Sequence, residues 1–270
     1  MNIQVHINVN KIPINDRAFN FGDGLFETIL VENNEAKFLN EHISRLFLGC
    51  NKLKIKKPDK AIICKSISKA IGVSKKCIIK LIYSRGISEH GYKYDQKIIP
   101  QLYIYKKRYI QSSKQSNLQL DLCKYKIQEN TLLSKIKHIN RLDQIVASSE
   151  NINNKYDELV LASNTNNIVE CISSNIFFYN FNKNIFTVYT PDLTKYGVEG
   201  VMRNKVIKRL KRKKIRILIK DIPVKDYSKF TGCFITNCIQ GVRLVKNFNK
   251  KVYSDIPMIR TILDNYIYEK

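Results

Sequence analysis

No stretch of this 270-residue chain approaches the roughly 18 consecutive apolar residues that a membrane-crossing helix needs. The first residues, Met1-Asn2-Ile3-Gln4-Val5-His6, lack the basic and apolar regions of a secretory leader and alternate in polarity like a strand. CxxC pairs are missing as well. The seven cysteines (Cys50, Cys64, Cys77, Cys123, Cys171, Cys233 and Cys238) are scattered and odd in number, which excludes zinc-ligand spacing and a disulfide framework. Reduced thiols, no metal and a cytoplasmic location are the expectation.

Acidic residues are also scarce. There are 23 against 47 lysines and arginines, a formal net charge of +24. Clustered cations release counterions from phosphate backbones, so the balance invites comparison with nucleic-acid binders. The same chain is crowded with asparagine and isoleucine, as in Asn151-Ile152-Asn153-Asn154-Lys155. Those residues add nothing to nucleic-acid affinity but share A/T-rich codons with lysine, so codon bias is the better account. No basic segment carries the interleaved aromatics of a single-strand binder. No specific nucleic-acid partner is expected, and the densest basic run, Lys208 to Lys214, falls on a predicted helix end, where cations suit the dipole.

Hydrophobic residues make up 44% and charged residues 26%, a globular composition in a chain long enough for one large domain or two smaller ones. Alternation predicts a strand at Gln4–Val9, a Gly-Asp-Gly turn opens another at Gly24–Glu32, and the apolar, β-rich runs Cys77–Tyr83 and Gln101–Tyr105 read as two more. Apolar residues at helical spacing predict helices over Asn40–Leu53, with Asn40 as cap, and Ala61–Ile71. Lys106 to Asn117 is polar and serine-rich and reads as a linker. This places an N-terminal α+β domain at residues 1–107, the linker at 108–117 and a C-terminal domain at 118–270. In the second half, strands are predicted at Leu118–Cys123, Glu158–Ala162, Ile176–Tyr179, Phe186–Tyr189 and Cys233–Thr236. Helices are predicted at Asn140–Glu150, with Leu142, Ile145 and Val146 on one face, and at Val201–Leu210. There is no internal repeat, and the mixture gives a two-domain α+β fold.

Several residues could carry chemistry. Lys137 stands between apolar neighbours at a strand-to-helix junction. It is either a solvated surface charge or a desolvated amine able to act as a nucleophile. Glu170, in Ile168-Val169-Glu170-Cys171, is either a carboxylate turned to water or a partner for a protonated pyridine nitrogen. Gly197-Val198-Glu199-Gly200-Val201-Met202-Arg203 is a glycine-bearing turn opening into a helix, the geometry that holds phosphate, though many helices begin so. Thr236-Asn237-Cys238 is a small polar turn that could add donors. Arg45 is a surface arginine or a phosphate clamp.

The segment from Asn15 through Asp23-Gly24-Leu25-Phe26-Glu27-Thr28 resembles the N-terminal signature of the class IV (fold type IV) pyridoxal-phosphate (PLP) aminotransferase-like family. Glu41-His42-Ile43-Ser44-Arg45-Leu46 resembles that family's phosphate-arginine helix. Lys137 falls where the family has its cofactor-bearing lysine, and Glu170, followed by Ser174-Asn175-Ile176-Phe177, where it has the pyridine-nitrogen carboxylate. Thr190-Pro191 through Arg203 resembles its phosphate-cup helix. These matches run in order over nearly the whole chain. Lys137-His138-Ile139-Asn140-Arg141-Leu142 and Tyr83-Ser84-Arg85-Gly86 with Gly91-Tyr92 are most similar to the aminodeoxychorismate lyases of the family. His90 stands where those lyases often have arginine, and Cys238 where serine is common.

The resemblance implies PLP as cofactor, bound by Arg45, Lys137, Glu170, Val201, Met202, Asn237 and Cys238, with Lys137 catalytic. It implies aminodeoxychorismate as substrate, 4-aminobenzoate and pyruvate as products, and a homodimer. Charge complementarity suggests Arg85 and Arg141 for the substrate's carboxylates. The alternative within the family is an aminotransferase acting on branched-chain or D-amino acids.

Overall fold

The computed structural model describes residues 3–110, 117–182 and 185–253. The chain divides into two compact units, Met1–Ile110 with Ile136–Arg141, and Gln111–Lys135 with Leu142–Lys270. The expected boundaries are 1–107 and 118–270 with a linker between; here the units divide between Ile110 and Gln111, and the hexapeptide Ile136–Arg141 groups with the first unit. Residues 111–116 of the predicted linker lie outside the described residues.

The first unit runs β1 (Gln4–Ile7), α1 (Arg17–Phe21), β2 (Gly24–Glu32), β3 (Glu35–Ala36), α2 (Leu39–Leu53), α3 (Lys60–Ile71), β4 (Lys76–Ser84) and β5 (Gln101–Lys107). The strands form one sheet in the order β1-β5-β4-β2-β3, parallel only between β1 and β5. β2 has the alternation of a strand with one covered face. Leu25, Glu27, Ile29 and Val31 are buried, while Phe26, Thr28 and Leu30 are half-buried. The covering element is α2, whose stripe of Ile43, Leu46 and Cys50 is buried. Gly49 permits its close approach, since a Cβ there would lie 2.5 Å from Leu25 Cδ2. Glycine costs a helix about 1 kcal/mol. Burying one aliphatic side chain such as Leu25 returns about 1.5–3 kcal/mol, so the exchange favours the packed helix. The helix starts from Phe38 in a left-handed conformation rather than from Asn40, which lies inside the first turn.

β3 pairs only with Val31 and Glu32, the C-terminal part of the β2 edge. The N-terminal part is taken by the hexapeptide: Phe26 N–H donates to Lys137 O at 2.9 Å and Ile139 N–H to Gly24 O at 3.0 Å, around an antiparallel bridge of Leu25 with His138. The predicted strand-to-helix junction is therefore a single antiparallel bridge on the β2 edge, sufficient to satisfy backbone groups that β2 would otherwise leave open.

The second unit runs β6 (Leu118–Ile127), α4 (Leu142–Ser149), β7 (Glu158–Ser163), β8 (Ile168–Cys171), β9 (Asn175–Asn182), β10 (Ile185–Thr190), α5 (Val201–Arg212), β11 (Arg216–Ile219), β12 (Gly232–Asn237), β13 (Gly241–Phe248) and β14 (Lys251–Val252). Its sheet has the order β11-β10-β9-β12-β13-β6-β7-β8, with β14 beside β13. β7, β8 and most of β9 and β12 are buried on both faces, and they read as continuous apolar runs for that reason. Phe178 stacks on Phe230 and packs with Ile235, Val245 and Phe248 in the main core. α4 turns Ala147 to the sheet, beside Cys123 and Leu161. The face expected to be the apolar one points outward, with Leu142, Ile145 and Val146 at 66%, 61% and 47% exposure. The predicted basic run closes α5, with Arg209, Lys211 and Arg212 in the last turn.

Candidate active site

Each unit carries its own group of site residues. In the first, the edge pairing sets Lys137 opposite Phe26 across the strand pair, so both side chains rise from the face of the sheet away from α2. Lys137 Nζ lies 4.4 Å from the centroid of the Phe26 ring. The guanidinium carbon of Arg141 lies 5.9 Å from the same ring, and Arg141 is braced by the carbonyls of His138 and Ile136, at 2.8 and 3.3 Å. The structure thus brings Lys137 and Arg141 together. A third cation joins them: Lys80, opposite Thr28 on β4, holds its Nζ 3.8 Å from the Phe26 centroid.

His138 takes the other face. Burial, with Arg141 and Lys137 nearby, pushes its pKa down to about 3, so the ring is neutral at working pH. Its Nδ1 is buried with no hydrogen-bond partner among the described residues.

Arg45 projects from α2 toward β2 and closes on Glu27, with Nε donating to Oε1 at 2.8 Å. His42 Nδ1 meets Glu27 Oε2 at 2.6 Å. Burial alone would raise the Glu27 carboxyl, but the Arg45 and His42 charges and hydrogen bonds outweigh it and hold the pKa down at about 2. Arg85, expected at a substrate carboxylate, has a different occupation. Its Nε and Nη2 fork onto Asp23 at 2.7 and 2.9 Å, its Nη2 and Nη1 reach the carbonyls of Leu53 and Lys54, and its plane stacks 4.1 Å from Tyr94. The buried guanidinium is drawn to the nearest carboxylate and to helix-end carbonyls, which makes it a strut of the first unit.

In the second unit, Glu170 is 5% exposed in the middle of an apolar strand. Its Oε2 accepts from Val198 N–H at 2.9 Å and from Asn175 Nδ2 at 3.3 Å. The turn that delivers Val198 depends on two glycines. Gly197 has φ +66, and a Cβ there would lie 3.1 Å from the Glu170 carboxyl. At Gly200, the cap of α5, a Cβ would come within 2.0 Å of Asn175 Oδ1. No side chain caps α5, so its opening amides, at Val201 and Met202, could donate to an anion. Asn237 shapes the neighbouring turn: its Oδ1 accepts from Ile239 and Gln240 N–H at 3.0 and 2.8 Å, and its Nδ2 donates to Ser174 Oγ at 3.1 Å. Cys238 in that turn is a half-buried free thiol. Thr236 Oγ1, at the end of β12, is buried with no partner among the described residues.

Sequence reasoning assigned no role to Glu27, Lys80, Phe26 or His138. Period-two alternation along β2 and β4 would have set Phe26 and Lys80 on one face. Nothing local marks Lys80 among so many lysines.

Residues 24–248 match the model of the family described as amino-transferase class IV. An aminodeoxychorismate lyase of Vibrio harveyi is 26% identical over 242 residues, 88% of each chain. A probable branched-chain-amino-acid aminotransferase of Aquifex aeolicus is 27% identical over 262 residues, 90% of this chain and 81% of that one. Among solved structures, 4-amino-4-deoxychorismate lyase from Pseudomonas aeruginosa superposes with a TM-score of 0.88 at 25% identity, covering 95% of this chain and 94% of the other.

Proposed function

The chain belongs to the class IV aminotransferase family, and from that footing we propose that it is a PLP-dependent lyase converting 4-amino-4-deoxychorismate to 4-aminobenzoate and pyruvate. The observation that carries the lyase reading is the likeness, along nearly the full length of both chains, to lyases in sequence and in structure. PLP is the cofactor of the family, and the residues present fit it. An amine (Lys137), a carboxylate fixed by two donors (Glu170), an uncapped helix start and an orphaned hydroxyl (Thr236) are the donor set that an aldehyde, a pyridine nitrogen and a phosphate require.

When bound, PLP supplies an electron sink for the pair left behind by a broken C–H bond. Lys137 would hold the cofactor through Nζ and, once displaced by the substrate's amine, act at two atoms. It removes the proton from the ring carbon bearing the nitrogen, then delivers a proton to the methylene carbon of the departing enolpyruvate as the ether C–O bond breaks. That delivery yields pyruvate, and loss of the ether leaves the ring aromatic. Glu170 would keep a proton on the pyridine nitrogen, its carboxylate fixed by Val198 and Asn175. Arg45, its plane set by Glu27, is assigned to the phosphate with the amides of Val201 and Met202 and the Asn237-Cys238 turn. Arg141 is assigned to a substrate carboxylate.

A homodimer in the cytoplasm completes the reading. The outward apolar face of α4 supports the dimer and the seven unpaired cysteines support the compartment. Among the described residues no helix is long and apolar enough to cross a membrane. The deciding experiment is pyruvate release from 4-amino-4-deoxychorismate with no keto acid added. Pyruvate and 4-aminobenzoate in equal amounts are expected. Transfer of the amino group to an added keto acid, without pyruvate, would instead make the protein an aminotransferase.

A further inference from the structure

We propose that Lys80 is the anchor for the ring carboxylate of the substrate and thereby selects an aryl- or cyclohexadiene-carboxylate over an ordinary amino acid. The proposal rests on the lyase reading and deepens it.

The placement comes from the sheet register. β2 lies between β4 and the edge segment, with Phe26 opposite both Ile82 and Lys137, and Thr28 opposite Lys80. Lys80 and Lys137 are therefore diagonal neighbours across β2, on the same face, with the Phe26 ring between them at 3.8 and 4.4 Å from the two ammonium nitrogens. The three cations around that ring are not equivalent. Lys137 is committed to the cofactor in the proposed mechanism, and Arg141 is braced by two backbone carbonyls. Lys80 has no carboxylate within ion-pair distance among the described residues, and the ring face is its one close polar contact.

A half-buried ammonium in that position is costly unless an anion completes it. Burial, with Lys107 and Arg141 nearby, lowers its pKa to about 8 against the opposing pull of Glu27. The charged or titratable groups facing it are Lys107 and Tyr105 from β5, Glu27 from β2, and Lys137 and Arg141 from the edge segment. Apart from Glu27, which is already paired with Arg45 and His42, they supply no negative charge at neutral pH. In the proposed substrate the ring carboxylate lies across the ring from the amine. With that amine at Lys137, the carboxylate at the far end of the ring would lie toward the diagonal neighbour, Lys80. Two ammonium groups on either side of one aromatic ring, the first accepting the amine, suit a planar substrate with amine and carboxylate at opposite ends.

The test uses PLP-loaded protein and two probes of one shape, 4-aminobenzoate and its uncharged amide, 4-aminobenzamide, with affinities measured by calorimetry. The parent is expected to bind the acid more tightly than the amide. Lys80→Met should weaken the acid by roughly ten- to hundredfold, the worth of a hydrogen bond to a charged group, and leave the amide unchanged. Lys80→Arg should restore most of the preference. In turnover, Lys80→Met should raise KM by a similar factor with a smaller change in kcat. Equal loss of both probes, unchanged affinity with a lowered Tm, or a parent that does not prefer the acid would each overturn the proposal. If the parent makes no pyruvate but the acid–amide contrast follows Lys80, the lyase reading falls and the carboxylate anchor stands.

Discussion

Arg45 and Glu27 are joined at two points, Nε to Oε1 at 2.8 Å and Nη2 to Oε2 at 2.5 Å, across the interface of α2 and β2. Glu27 is 1% exposed, so this is a desolvated pair, and His42 completes it from the next turn of the helix. Such a pair is strongly destabilising to break from one side, by about 3 kcal/mol or more. It gives the first unit a specific sensitivity to acid.

The sign follows from the two depressed pKa values nearby. Glu27 falls from 4.5 to about 2, so its contribution is complete above pH 4.5 and is lost as pH drops toward 2. His138 falls from 6.5 to about 3, so the unfolded chain takes up a proton that the folded chain refuses, and stability declines as pH drops from 6.5 toward 3. Stability should therefore fall in two overlapping steps below pH 6.5. His138→Gln should flatten the upper step in a plot of denaturation midpoint against pH. Unchanged curvature between pH 6.5 and 4.5 in that variant would refute the assignment.

Borohydride reduction of the yellow, PLP-loaded protein should bleach its near-visible band and leave the reduced adduct on Lys137 in a peptide map. The nearby alternative is Lys135. Its backbone bridges to Val198, with its N–H on Gly197 O at 2.8 Å. An adduct on Lys135 would mean that the edge pairing of Lys137 with Phe26 does not place the reactive amine.

Glu170→Gln keeps the size of the side chain and an oxygen for the Val198 N–H while removing the charge. Cofactor content should stay near normal, because Lys137 and the α5 amides remain. kcat should fall by about a hundredfold or more, since the lost interaction acts mainly in the transition state. A PLP-loaded Glu170→Gln protein with full turnover would remove Glu170 from the mechanism.

The outward face of α4 should be the seam of the dimer. Ile145→Glu, at a position already 61% exposed, should leave the fold of the second unit intact yet weaken dimerisation by more than about a hundredfold, because a charge would have to be buried unpaired. Sedimentation velocity reads the outcome directly. A parent that sediments as a monomer, or a variant that remains dimeric, would place the seam elsewhere or nowhere.

Much of this was legible in the residues. The period of β2, α2 and α5 could be read because each has one covered face or stripe, and Lys137 and Glu170 are singled out by motifs that occur in order. Other features depend on partners that no local pattern names. Arg85 meets Asp23, 62 positions away in sequence, and only the fold brings the two together. Periodicity set Leu142, Ile145 and Val146 on one side of α4 but could not say whether the sheet lies on that side. The N-cap of α2 passed from Asn40 to Phe38 because the tight turn after β3 fixes where the helix must start, against side-chain preference.

The loop after β4 shows how such a chain tolerates drift. Arg17 gathers the carbonyls of Gly91, Tyr92 and Lys93 at 2.7, 3.1 and 3.2 Å while its Nε holds Asp23 at 2.9 Å. Those acceptors belong to the main chain and are the same whatever residue occupies each position. At positions 91–93 the course of the loop is thus held through peptide groups, while Tyr94 beyond them is held through its ring. Histidine stands at position 90 beside these contacts and takes no part in them. Substitution at positions 91–93 can therefore change the chemistry that this stretch presents while the grip of Arg17 on its backbone is kept.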